Sequence, residues 1–283
     1  MGVVSNFSLV YIVWKMKNLD NPFYILIVIL SIFDGTFSLV FLVYTTPLTI
    51  FELDFMENQQ LSFVVGFILE TCFISATILH SVISLNRFFA VSTPIIYRKL
   101  FSLFITKTII IFTFVFAFSL NLIFAFFDCG LIYDPEYHTI VVKHVATPAC
   151  STYDKAISLY VVFAFSTMNF FVDVISMMKL RSIIANRNKS LVSTSTAKTD
   201  MGYVKQAMAQ TVFLLINVFI FFFAFSSLVR NRDYGLIVTS LGWLVLHAMD
   251  GVLTFIFNPE IRRRVLGRSN STAPPSYVGT TRT

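Results

Sequence analysis

Six acidic or histidine side chains lie inside long apolar stretches of this chain: Asp34, Glu70, His80, Asp173, His247 and Asp250. A charge in hydrocarbon is costly, so such groups are partnered or functional. His247 and Asp250 are three residues apart, one helical turn on one face, and that face should meet Asp34. Two acids in a dry site cannot both ionise easily, so they would share a proton, a sodium ion or the His247 charge. The alternative is a structural hydrogen-bond network holding helices together. Glu70 would lie about 13 Å into its helix from the outer end, placed either to meet a cationic ligand or to stay a neutral acid in the bundle. His80 reads as a satisfied interior histidine, and Asp173 as a partner for Lys179 or Arg181.

A seventh charged residue, Arg87, closes an apolar stretch in Ile83-Ser84-Leu85-Asn86-Arg87-Phe88-Phe89-Ala90-Val91, followed by Pro94, Tyr97, Arg98 and Lys99. A guanidinium at a membrane boundary has a partner or a role, although basic residues flank most spans on the cytoplasmic side.

The elements that must position these residues follow from composition. Hydrophobic residues make up 56% of 283, charged residues 13%, and mean hydropathy is +0.77. Soluble proteins carry roughly 25% charged residues, so an all-α membrane protein is expected. Apolar stretches long enough to cross, about 20 residues each, lie near 22–46, 61–85, 106–127, 156–178, 206–229 and 235–257. Residues 1–14 make a seventh that reaches only about 21 Å at ~1.5 Å per residue, which suggests a truncated first helix. The start has no basic region of a cleavable signal peptide.

With the N-terminus outside, the inner segments hold 17 of the 21 basic residues, and the outer ones only Lys143, Lys155, Arg230 and Arg232. That asymmetry sets topology. It also distributes the net charge of +6 along the cytoplasmic face, so no nucleic-acid partner is implied; anionic membrane lipid is the simpler one. The sequons at Asn6, Asn188 and Asn270 fall in a helix or on the inner side and should not be glycosylated. No metal cluster, nucleophile pairing or phosphate loop supports an enzyme. A transporter would show inverted repeats or broken helices, and neither is found.

Seven helices, N-terminus out, with arginine closing the third, resemble the rhodopsin-like G-protein-coupled receptors. Asn86-Arg87-Phe88 stands where that family has Asp/Glu-Arg-Tyr, and Pro94 and Tyr97 match its second inner loop. The resemblance implies that these five residues couple to a heterotrimeric G protein, Arg87 being held internally until the sixth helix swings away. Asn86 removes the acidic neighbour. Asn6 and Asp34 resemble the family's polar pair of helices one and two. Asp250-Gly251-Val252-Leu253-Thr254 takes the place of Asn-Pro-x-x-Tyr, so Asn6, Asp34, His247, Asp250 and Thr254 form the expected intramembrane network. Phe257-Asn258-Pro259-Glu260-Ile261-Arg262 resembles the junction into a short amphipathic eighth helix. Several family marks are missing: tryptophan in helix four, proline in helices five and six, and the cysteine opening helix three, where Ser62 stands. Cys129 and Cys150, in the long outer loop, could bridge each other there. An opsin would need a lysine in helix seven, which 235–257 lacks.

Asn-Arg-Phe closing helix three, Phe-Asn-x-x-Ile-Arg ending helix seven, Asn21-Pro22-Phe23-Tyr24 and Phe33-Asp34 are similar to the nematode serpentine chemoreceptors, class V first, then class X or a related member of the superfamily. That implies a receptor domain over 1–264 and a cytoplasmic tail over 265–283 that is disordered by composition. The membrane would be the plasma or ciliary membrane of sensory neurons, the ligand a small odorant or pheromone, and no cofactor is expected. Pro274, Pro275 and Tyr277 fit the Pro-Pro-x-Tyr pattern read by WW domains. The competing readings are a peptide-sensing or orphan receptor of the same fold, and a membrane scaffold that does not signal.

Overall fold

The computed structural model describes residues 1–51, 58–127, 129–134, 139–142, 150, 152, 160–187, 194–220 and 240–266. The tail motif at Pro274, Pro275 and Tyr277 and the sequons at Asn188 and Asn270 lie outside the described residues. Helix α1 (Gly2–Lys15) buries Gly2, Asn6, Leu9 and Val13, a stripe at helical spacing. Helix α2 begins at Pro22–Val40, where Pro22 takes the first helical position and the Asn21 carboxamide accepts the Phe23 N–H at 3.0 Å. Pro47 cannot donate a backbone hydrogen bond, and the turn before it, Phe41–Thr45, widens to a π-helix before Thr46–Phe51 completes the span.

Helix α3 (Gln59–Ser92) is capped by Asn58, which accepts from the Gln60 and Leu61 N–H groups. It stops at Ser92, leaving Thr93 non-helical, since the residue ahead of a proline is pushed out of the helical region. A short loop helix, Pro94–Leu100, leads to α4 (Leu103–Phe126), whose buried residues Thr106, Thr113, Ala117, Asn121 and Phe124 form one narrow stripe. Its other faces are exposed phenylalanine and isoleucine, suited to lipid. An antiparallel hairpin follows, β1 (Leu131–Asp134) with β2 (Thr139–Val142), in the register Leu131 opposite Val142. It adds strand to a bundle expected to be all helix.

The bundle closes with α5 (Val162–Arg187), α6 (Thr194–Phe219) and α7 (Gly242–Phe257). Asn258 then caps α8 (Pro259–Val265), its carboxamide oxygen accepting from Glu260 and Ile261 N–H, and α8 departs from α7 at 84°. Ile261 is fully buried while Arg262, Arg263 and Arg264 face outward, the amphipathic pattern of an eighth helix. Four described helices are long and apolar enough to cross a membrane, or five with the bent α7–α8 pair.

Two apolar clusters fill the bundle, one around Phe37, Leu69, Phe73 and Trp243, the other around Leu26, Leu79, Ile83 and Ile261. Asp34 falls on α2 between Leu30 of the second and Phe37 of the first. A polar layer thus separates two apolar ones.

Candidate functional site

The polar layer draws on six helices. His247 Nδ1 pairs with Asp34 Oδ1 at 2.7 Å, linking α7 to α2, and His80 Nε2 pairs with Asp250 Oδ2 at 3.1 Å, linking α3 to α7. All four residues are buried. The Phe37 ring covers His247, with ring centres 3.9 Å apart. Each acid therefore has its own histidine, and the two carboxylates do not share one partner as the sequence suggests. The physical reason is His80: its place on α3 brings a second imidazole to the acid left over. A sodium ion is a hard cation that needs several oxygens converging on one point. Here a ring nitrogen occupies Asp34 Oδ1, while Asp34 Oδ2 is buried with no hydrogen-bond partner among the described residues, and no group of three or more His, Cys, Asp or Glu suited to a metal occurs among them.

Asn6 does not reach Asp34. Its Nδ2 donates to the carbonyls of His247 at 2.9 Å and Gly2 at 3.0 Å, tying α1 to α7. Gly251 makes that approach possible: a Cβ there would stand 2.7 Å from Asn6 Oδ1 and 2.9 Å from Ser5 Oγ. The glycine standing where the family has proline thus serves close packing, within a helix that runs on unbroken.

Thr254 donates to the Asp250 carbonyl at 2.9 Å and accepts from Gln206 Nε2 at 3.0 Å, while Gln210 Nε2 donates to the same carbonyl at 3.2 Å. Gln206 and Gln210, four apart on α6, zip that helix to α7. Neither stands among the residues expected to form the network, although two glutamines at i, i+4 facing an apolar bundle are a legible signal. Asp173 accepts from Thr211 Oγ1 at 2.7 Å. Its partner is thus on α6, replacing the expected Lys179 or Arg181: Asp173 is fully buried, whereas both cations lie at exposed or surface positions of the helix end.

Arg87 sits at the end of the bundle that carries the basic residues, 9% exposed. Its guanidinium carbon lies 3.0 Å from the centre of the Phe23 ring and 4.2 Å from that of Tyr203, so α2 and α6 enclose it between two aromatic faces. Asn86 beside it is fully buried, Phe88 half-buried, Pro94 exposed, and Tyr97 stacks on Phe101 with centres 5.6 Å apart. Phe23, Tyr24, Tyr203 and Glu260 complete this end and were not singled out in the sequence as site residues.

At the opposite end, Glu70 borders a small cleft with Phe63, Phe67, Asn121 and Phe124, roofed by Gly130 and Leu131. The hairpin is pinned to α3 there without a disulfide. Ser62 Oγ accepts the Tyr133 N–H at 2.6 Å, and Gly66 admits the Leu131 carbonyl, which a Cβ would meet at 1.9 Å. Cys129 and Cys150 are joined by a disulfide with Cα atoms 5.7 Å apart, and Cys72 is free and buried.

Against known proteins, the family described as "serpentine type 7TM GPCR chemoreceptor Srx" matches residues 1–258. A curated relative, serpentine receptor class X 45 of Caenorhabditis elegans, is 23% identical over 287 residues, covering 93% of this chain and 76% of its own length. Among solved structures, squid rhodopsin superposes with a TM-score of 0.75 at 16% identity, over 94% of this chain and 80% of that one. The rhodopsin likeness speaks for the seven-helix receptor fold, and of the serpentine classes expected it is class X that matches.

Proposed function

Because the chain belongs to the serpentine 7TM GPCR chemoreceptor family Srx, we propose that it is a chemosensory receptor that binds a small environmental molecule from outside and activates a heterotrimeric G protein inside. The observation that carries this reading is Arg87: a buried guanidinium enclosed by rings of α2 and α6 at the basic end of the bundle. Such a charge becomes available to a cytosolic partner when α6 withdraws. On this reading the N-terminus is outside, Asn86, Arg87, Phe88, Pro94 and Tyr97 form the coupling surface, and the His–Asp layer of Asp34, His247 and Asp250, with Asn6 and Thr254, relays movement between the two ends. Glu70 beside the hairpin is a ligand-contact candidate, and the Cys129–Cys150 bridge holds the outer loop in an oxidising space. The host membrane is the plasma or ciliary membrane of a sensory neuron. A WW-domain protein is a further partner candidate at the tail.

The test is G-protein activation by the full-length chain in cells challenged with an odorant and pheromone panel. Activation by one or more small molecules, lost in Arg87→Ala, supports the reading. Activation by peptides alone favours a peptide receptor of the same fold. Silence across all G-protein classes despite surface expression points to a scaffold and sinks it.

A further inference from the structure

Glu260, in the first turn of α8, is contacted by donors from three separate places. Asn18 Nδ2, in the turn between α1 and α2, donates to Oε1 at 3.2 Å. Tyr203 of α6 donates to Oε2 at 3.1 Å, and Tyr24 of α2 makes a short hydrogen bond to that same oxygen. The two tyrosine hydroxyls are also 3.2 Å from each other. The carboxylate is held in place from below: Asn258 caps its N–H, Pro259 precedes it, and Ile261 after it is fully buried. A second, independent feature brings α6 to this corner. Gly202, next to Tyr203, has no side chain where a Cβ would stand 2.8 Å from the Phe257 carbonyl and 3.1 Å from Pro259 Cδ.

We infer that Glu260 is an autoinhibitory latch: through Tyr203 and Tyr24 it ties α6 to α2 and so keeps the two rings closed on Arg87. Its effect on signalling rests on the receptor reading above; the tie between helices does not. Since Tyr24 and Tyr203 share one carboxylate oxygen, α6 cannot leave α2 without breaking one of those bonds, whether α8 stays or travels with α6. Helix α6 has no proline among its described residues to bend around, and Gln206 and Gln210 bind it to α7. Its inner end therefore moves as a stiff element once the carboxylate lets go. Asn86 supplies no acid to restrain Arg87 from its own helix. The restraint comes from across the bundle, relayed from an acid on α8 through a tyrosine ring. Helix α8 thereby sets the resting state of the receptor, and anything that lifts it off the bundle would open the mouth.

The test uses the full-length chain in nanodiscs, spin-labelled at Asp20→Cys and Lys205→Cys. Both positions are exposed, the first beside α2 and the second on α6, and neither side chain contributes a bond to Glu260. Without ligand or G protein, Glu260→Ala is expected to lengthen the label separation. In cells it is expected to raise basal G-protein activation roughly tenfold, the ratio that one charge-assisted hydrogen bond supports. Tyr203→Phe, which keeps the ring over Arg87 and removes only the hydroxyl, should shift both readouts the same way but less. An unchanged separation in folded Glu260→Ala overturns the latch, as does an equal lengthening in Arg263→Ala, which would mean general loosening of α8. If Glu260→Ala fails to reach the membrane, the separation in Tyr203→Phe decides. A longer separation with no basal signal supports the latch and counts against G-protein coupling, so the two readings fail separately.

Discussion

The guanidinium carbon of Arg87 lies 4.2 Å from the centre of the Tyr203 ring, so α6 closes directly over an arginine in the last two turns of α3. A cation held against an aromatic face and shielded from water is worth about 2 kcal/mol or more. Phe23 doubles the contact from α2. This enclosure, and the polar layer above it, generate distinct expectations.

Arg87→Lys keeps the charge but loses the planar group that stacks between two rings. Stimulated G-protein activation should fall severalfold in Arg87→Lys and vanish in Arg87→Ala, with surface expression retained in both. Full activation in Arg87→Ala would remove the residue from the coupling machinery.

The Asp34–His247 pair should show strong energetic coupling. Removing one partner leaves a buried donor or acceptor unsatisfied, at a cost of about 1–3 kcal/mol. Thermal unfolding in detergent of Asp34→Asn, His247→Ala and the double variant forms the cycle, and the double should be markedly less unstable than the sum of the singles. Additive losses would show that the 2.7 Å contact carries no energy. Asp34→Asn should also be assayed for sodium and pH sensitivity; no change in either would leave the network a structural one.

Gly251→Ala places a methyl 2.7 Å from Asn6 Oδ1 and 2.9 Å from Ser5 Oγ. Pushing α1 off α7 should cost about 1–3 kcal/mol, as overpacking does. Shortening the obstacle with Asn6→Ser should recover part of the loss. A Gly251→Ala protein as thermostable as the parent would mean that α1 packs elsewhere.

At the far end, Ser62→Ala removes the acceptor for the Tyr133 N–H and should cost about 1 kcal/mol. Gly66→Ala should be far worse, because the Leu131 carbonyl already fills the space. Hydrogen exchange at Tyr133 is the direct readout: faster exchange is expected in both variants, and parent-like protection in Gly66→Ala would refute the packing described.

Much of the site was visible along the chain. Intramembrane acids and histidines announce themselves because hydrocarbon tolerates them only when partnered, and the three-residue spacing of His247 and Asp250 put them on one face. Which acid takes which histidine was not visible. His80 is an ordinary interior histidine in one dimension, and only the crossing of α3 and α7 delivers it to Asp250. Glu260 was hidden for a similar reason: beside three arginines it looks like one more surface charge. Its partners are 242, 236 and 57 positions away in sequence.

What the sequence by itself determined are the properties that act locally: the apolar lengths of the spans, the Asn and Pro caps that start α2 and α8, and the short motifs that place Arg87 in the last turns of its helix. These depend on transfer energy and backbone geometry summed over neighbouring residues. The tertiary structure alone decided the pairings, the tie of Ser62 to the hairpin, the close approaches at Gly66, Gly202 and Gly251, and the enclosure of Arg87 by Phe23 and Tyr203. Those depend on how helices cross. Crossing is set by side chains from distant segments filling one another's space, which no local pattern encodes.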